Sequence, residues 1–234
     1  MQLKCLNTNM VILDFDGVLF HSHLEVYNVC QSLAEKHSDL RQDVTLRQFL
    51  DFRTYLTNAW QFRLLYSNER DLKGWDDLSS VVPDQRDWEF SRNFFSERQE
   101  LMSSNEWLEG FKPFNIFEMV LPLMNDHPNN IVILSTRNAQ SIDKVFRHYG
   151  LVFKNIYGQE IFEKYGSKFE ASKNLSWLNG ERRPICVDDI LEHLLPFKGY
   201  ANCLHADWGY GRSDEHSLSQ DEVFLTIKSH LQIK

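Results

Sequence analysis

Three apolar runs in this chain end in side chains able to do chemistry. Met10-Val11-Ile12-Leu13 leads into Asp14-Phe15-Asp16-Gly17, Ile131-Val132-Ile133-Leu134 into Ser135-Thr136-Arg137-Asn138, and Ile185-Cys186-Val187 into Asp188-Asp189. Clustered carboxylates repel one another unless a cation or a proton offsets them, so the two acid pairs suggest a metal-assisted acid site. Asp14 and Asp16 are separated by one residue and would point to opposite sides of a straight strand. Both can face one site only if the chain turns there, and Gly17 permits such a turn. Brought together, the three ends supply a nucleophile, a second acid, hydroxyl donors and a metal-binding acid pair. Magnesium prefers oxygen ligands and usually takes one or two carboxylates plus phosphate and water. Phosphoryl transfer needs what such a group can offer: positioning, a cation on the non-bridging oxygens and donors for the developing charge.

The elements that must carry these residues follow from the apolar pattern. Continuous apolar runs read as strands buried on both faces, and in an open parallel sheet ligands bind at the carboxyl ends of the strands. Val152–Tyr157 and Ala201–His205 are further strand candidates. Helical spacing follows the second run, with Ile142, Val145, Phe146 and Tyr149 on one face and Gly150 at the C-terminal cap. Ile116, Met119, Val120 and Leu123 mark another helix, which Pro122 should kink or shorten. Phe169–Leu178 reads as a helix stopped by Asn179-Gly180, and a last helix starts near Ser219 with Glu222 in capping position. Strands alternating with helices give an α/β fold with a doubly wound parallel sheet.

The stretch between the first two apolar runs is different. Ser22 with Glu25, and Thr45 with Gln48, form capping-box patterns. Asp51–Tyr66 and Asp84–Met102 read as helices rich in aromatic residues and arginine, and no strand pattern intervenes. The expected organisation is a Rossmann-like core of residues 1–20 and 107–234 with an all-helical insert of residues 21–106.

These residues carry a resemblance to a known family. Asp14-x-Asp16-Gly17-Val18-Leu19 resembles motif I of the haloacid dehalogenase superfamily, Ser135 after its apolar run resembles motif II, and Asp188-Asp189 resembles motif IV. The order matches, and the insert is placed like a C1 cap. The resemblance implies Asp14 as the nucleophile that forms an aspartyl-phosphate, and Asp16 as general acid and then general base. It implies Mg2+ held by Asp14, the Asp16 backbone carbonyl and Asp188, with Asp189 adjusting the site, and Ser135 and Thr136 on the phosphoryl group. A motif III lysine should offset the charge; Lys168 is the first choice, about twenty residues before Asp188, with Lys164 and Lys173 as rivals. Glu192 is a candidate acid behind the metal. The implied activity is a magnesium-dependent phosphatase acting on a small phosphate ester. A phosphomutase would use the same residues, and a noncatalytic binding protein could share the fold. A phosphorelay receiver would place its acceptor after a later strand, the reverse of the order here.

Each residue also has a plainer reading. The acids could cap a turn, and Ser135 the helix after it. Arg137 reads as a surface or interdomain residue, His21 and His23 as incidental, and the insert's aromatic residues as helix-packing core. Arg47, Arg53, Arg63 and Tyr66 are candidates for substrate specificity.

Composition sets outer limits. The chain has 234 residues, 42% of them hydrophobic, and a net charge of -8. That balance argues against nonspecific binding to nucleic acid or an anionic membrane surface. No apolar stretch approaches the roughly 20 residues needed to span a bilayer. Cys5, Cys30, Cys186 and Cys203 form no CxxC pair and read as reduced thiols of a cytoplasmic protein. Oligomeric state is not legible.

Overall fold

The computed structural model describes residues 9–56, 58–67, 81–178, 182–210 and 218–233. The chain opens on β1 (Val11–Leu13) and β2 (Phe20–His21), then passes through α1 (His23–Lys36), α2 (Leu46–Arg53), α3 (Phe62–Tyr66) and α4 (Gln85–Leu101). It continues through β3 (Lys112–Pro113), α5 (Asn115–Asp126), β4 (Ile131–Leu134), α6 (Ala139–His148), β5 (Ile156–Tyr157), α7 (Glu160–Tyr165) and α8 (Lys168–Asn174). β6 (Ile185–Asp188), α9 (Leu191–Leu194), β7 (Asn202–His205) and α10 (Gln220–His230) complete it. Two compact units result: residues 1–21 with 113–234, and residues 22–112.

The first unit is built on a five-stranded sheet in the order β5-β4-β1-β6-β7, every pair parallel. β1 is therefore central, and the strand order departs from it in both directions, which makes its carboxyl end the topological switch point. Burial explains the three apolar runs: Val11, Ile131 and Ile133 are wholly buried, and every residue of β6 is buried. Ile12, Val132, Leu134 and Cys186 pack with Trp177, Leu194 and Phe197. Elsewhere in this unit Phe15 stacks on Phe20 at 4.9 Å, and Phe117 stacks on Phe146 at 5.8 Å. Each such side chain contributes up to about 1.5–3 kcal/mol by leaving water.

Local capping signals start several of the helices. Asn138 accepts from Ser141 N at 2.7 Å and starts α6, and Ser219 with Glu222 forms the capping box of α10. α5 runs through Pro122 to Asp126, so the expected shortening does not occur. The Val152–Tyr157 strand reduces to Ile156–Tyr157, and the helix expected over Phe169–Leu178 is Lys168–Asn174. Asn179-Gly180 lie outside the described residues, as does Cys5; Cys30, Cys186 and Cys203 are free thiols. Among the described residues no helix is long and apolar enough to cross a membrane.

The second unit is helical, and its aromatic residues are core: Phe49, Phe52, Trp60, Phe62, Tyr66, Phe90 and Phe94 share one buried cluster. Thr45 and Gln48 make the expected capping box, but Ser22 makes no side-chain cap. Glu25 is drawn elsewhere. It is buried and accepts from Arg98 Nε at 2.8 Å and from Trp107 Nε1 at 3.0 Å. A long-range ion pair has displaced a local cap, because a buried carboxylate needs charged partners more than a helix end needs one acceptor. The expected helix Asp51–Tyr66 is broken after Arg53 and restarts at Asn58, whose backbone N–H donates to Gln61 Oε1 at 2.8 Å. Arg63 pairs with Asp87 at 3.2 Å with both buried, and Tyr66 is wholly buried, so both serve the packing of this unit.

Candidate active site

The carboxyl ends of β1, β4 and β6 lie side by side. Leu13 pairs with Ile133 on one flank and with Val187 on the other, so Asp14 and Asp188 stand level one residue further on. Asp14 N–H donates to Val187 O at 3.0 Å, which carries the parallel ladder up to the first acid. The chain then turns. Gly17 has a φ of +78°, and its N–H donates to Phe20 O at 3.0 Å. An added Cβ at Gly17 would stand 2.1 Å from Asp189 Oδ2, so only glycine lets the two acid segments close together.

Lys168 links two of the ends. It opens α8 behind the N-cap Ser167, is almost wholly buried, and its Nζ lies 2.8 Å from Asp14 Oδ2 and 2.6 Å from Asp188 Oδ2. The other Asp14 oxygen, Oδ1, accepts from Phe15 N at 2.7 Å. Asp188 Oδ1 accepts from Ile190 N at 2.9 Å and faces His193 Nδ1 at 3.1 Å. Burial alone would raise the Asp188 pKa, but Lys168 and His193 overcome it and hold this carboxyl well below the usual range. Burial pushes Asp14 up; Lys168 opposes that shift and the Asp188 charge adds to it. Burial also works against the Lys168 ammonium, yet Asp14 and Asp188 keep its pKa above the ordinary lysine value.

Asp16 faces a second cation. Arg137 Nε lies 2.9 Å from Asp16 Oδ2 and 3.1 Å from Oδ1, and Nη2 lies 3.0 Å from Oδ1. Arg137 is 2% exposed. It is not the surface residue that its polarity suggests, because a planar fork that finds a carboxylate can be buried where a free guanidinium cannot.

The oxygen donors of Asp14, Asp188 and the Asp16 backbone are of the kind that magnesium takes. Carboxylate oxygens of Asp14 and Asp188 and a ring nitrogen of His193 lie within 4.8 Å of one another. Four carboxylates, Asp14, Asp16, Asp188 and Asp189, meet two permanent cations, Lys168 and Arg137, so a divalent cation suits the residual charge.

No family model and no curated protein sequence matches the chain. Solved structures do match. One assigned as a phosphoglycolate phosphatase, from Lactobacillus delbrueckii subsp. bulgaricus, superposes with a TM-score of 0.67 at 12% identity over 94% of this chain and 98% of that one. A hydrolase described as a haloacid dehalogenase-like family protein, from Streptococcus pneumoniae, gives 0.59 at 13% identity over 93% and 97%. CbbY from Rhodobacter sphaeroides, in complex with xylulose 1,5-bisphosphate, gives 0.60 at 14% identity over 91% and 92%. The fold is haloacid dehalogenase-like. Identities this low speak to fold, and function has to be argued from the site.

Within the haloacid dehalogenase-like core, Asp14, Asp16, Asp188, Asp189 and Lys168 gather at the expected rim. Ser135 is wholly buried, its N–H donates to Tyr157 O at 3.0 Å, and its Oγ accepts from Arg137 N at 3.4 Å. Thr136 is exposed beside it. Lys164 is exposed over the Tyr165 ring and Lys173 pairs with Glu170, so neither rival reaches the acids. Glu192 is exposed, and the residue on Asp188 is its neighbour His193. Sequence reading also missed the segment after β7. Trp208 Nε1 donates to Val18 O at 3.0 Å, Tyr210 N to Asp189 Oδ2 at 2.6 Å, and Tyr210 Oη to Phe20 O at 3.3 Å. Gly209 lies where a Cβ would meet Asp189 and the Gly17 carbonyl, so this segment closes over the turn that carries Asp14 and Asp16.

Proposed function

We propose that this chain is a magnesium-dependent phosphatase that hydrolyses a small phosphorylated metabolite through an aspartyl-phosphate on Asp14. The observation that carries the reading is the placement of Lys168 between Asp14 and Asp188, at 2.8 and 2.6 Å, at the carboxyl end of the central strand.

Asp14 attacks phosphorus with a carboxylate oxygen, and the bond from phosphorus to the ester oxygen breaks. Asp16 gives the departing oxygen its proton, then accepts a proton from the water that attacks the phosphoryl-aspartate, which frees inorganic phosphate and restores Asp14. Lys168 offsets the charge on Asp14 and on the incoming phosphoryl oxygens. Ser135 and Thr136 supply hydroxyl donors to those oxygens. Asp14, Asp188 and the Asp16 carbonyl would hold Mg2+, with Asp189 tuning the set and His193 bracing Asp188. When bound, the ion supplies positive charge on the non-bridging oxygens. A small phosphate ester is the proposed substrate class, and the structurally similar CbbY was solved in complex with xylulose 1,5-bisphosphate.

The test is release of inorganic phosphate from p-nitrophenyl phosphate with and without Mg2+. Activity that needs the ion and vanishes in Asp14→Asn supports the reading; full activity in Asp14→Asn, or in the presence of a chelator, overturns it.

A further inference from the structure

We propose that Arg137 is a positioning residue for Asp16: from behind, its guanidinium fixes the direction in which the proposed acid/base carboxylate faces. The inference rests on the phosphatase reading above and deepens it.

The pair is lopsided in a way that fits this task. The Arg137 side chain is 1% exposed and that of Asp16 is 17% exposed, so the cation is the interior partner and the carboxylate the accessible one. A buried arginine contributes little to solubility and costs several kcal/mol to desolvate unless it is well paired. Here Nε and Nη2 together make three contacts with both Asp16 oxygens, between 2.9 and 3.1 Å. Two coplanar donors fix both the position and the rotation of a carboxylate, which a single ammonium cannot do.

The arginine is itself held from several sides. Its carbonyl accepts from Gln159 N at 2.9 Å, and its N–H donates to Ser135 Oγ at 3.4 Å. Gly158 comes so close that an added Cβ would lie 2.5 Å from the Arg137 carbonyl oxygen. The next residue, Asn138, is the N-cap of α6. The guanidinium carbon lies 5.8 Å from the centre of the Phe15 ring, the residue between the two acids. Motif II thus orients the second acid of motif I through a loop whose backbone is held at Ser135 and Arg137.

A double-mutant cycle tests this, using p-nitrophenyl phosphate hydrolysis with Mg2+ and thermal melting to confirm folding. Arg137→Met should lower kcat by at least about tenfold with KM changed less than about twofold, and Asp16→Asn should lower kcat by about a hundredfold or more. In the Asp16→Asn background, Arg137→Met should then change kcat by less than about twofold, because the group it acts through is gone. Arg137→Lys carries the same cycle if Arg137→Met does not fold. Two losses that multiply, or a folded Arg137 variant with unchanged kcat, overturn the inference while leaving the phosphatase reading intact. An inactive wild type overturns that reading instead.

Discussion

Lys168 and Asp14 form a buried ion pair of 2.8 Å across 154 residues of sequence, one at the start of α8 and the other at the end of β1. The lysine is simultaneously 2.6 Å from Asp188, so one ammonium holds two carboxylates that would otherwise repel. Lys168→Met keeps the apolar stem and removes the charge. It should cost about 3–5 kcal/mol in urea unfolding, because both acids stay buried without the ammonium they share. A variant as stable as the wild type would show that the acids do not depend on this cation.

Glycine substitutions separate turn strain from close packing. Gly17 and Gly150 have similar φ values of +78° and +80°, but only at Gly17 would a Cβ meet other atoms, 2.1 Å from Asp189 Oδ2. Gly150→Ala should cost about 1–2 kcal/mol, the backbone term alone. Gly17→Ala should exceed about 4 kcal/mol, the exceptional range for one substitution. Equal losses in denaturant melts would mean that the acid segments do not pack as described.

Trp208→Phe retains an aromatic ring and removes the indole N–H bonded to Val18 O at 3.0 Å. A loss of about 1 kcal/mol is expected from the single hydrogen bond. Because Val18 follows the Asp14–Gly17 turn, kcat should fall as well. Unchanged stability and kcat would remove Trp208 from the support of the site.

In the helical unit, Glu25 and Arg98 are buried together at 2.8 Å. Glu25→Leu or Arg98→Met alone should cost about 3–5 kcal/mol, since each leaves an unpaired buried charge. The double variant should lose much less than the sum, measured by thermal or urea melts. Additive losses would show that the two side chains act independently.

What was legible in the sequence follows a physical division. β1, β4 and β6 are buried on both faces, so they appear as unbroken apolar runs, and their acids and hydroxyls stand at the ends of those runs. Two pairings brought together from afar left no trace. Arg137 reads as a polar loop residue because its carboxylate lies 121 residues away, and Glu25 reads as a local cap because Arg98 lies 73 residues away. His193 and Glu192 are adjacent, and only the geometry of the short α9 puts the histidine on Asp188. The break inside Asp51–Tyr66 was written locally, since Asn58 and Gln61 are a capping pattern within the supposed helix. Val152 shows why the fifth strand is short: it is 65% exposed, while its neighbours Leu151 and Phe153 are buried.

The central claim is covalent: the phosphoryl group passes through Asp14. It is tested most directly by acid-quenching the enzyme during turnover of p-nitrophenyl phosphate with Mg2+ and reducing with borohydride, which expels phosphate and marks a phosphorylated aspartate as homoserine, the adduct then mapped by mass spectrometry. The account predicts an adduct on Asp14 that is absent from Asp14→Asn. Turnover with no adduct on Asp14 and undiminished phosphate release by Asp14→Asn would contradict it.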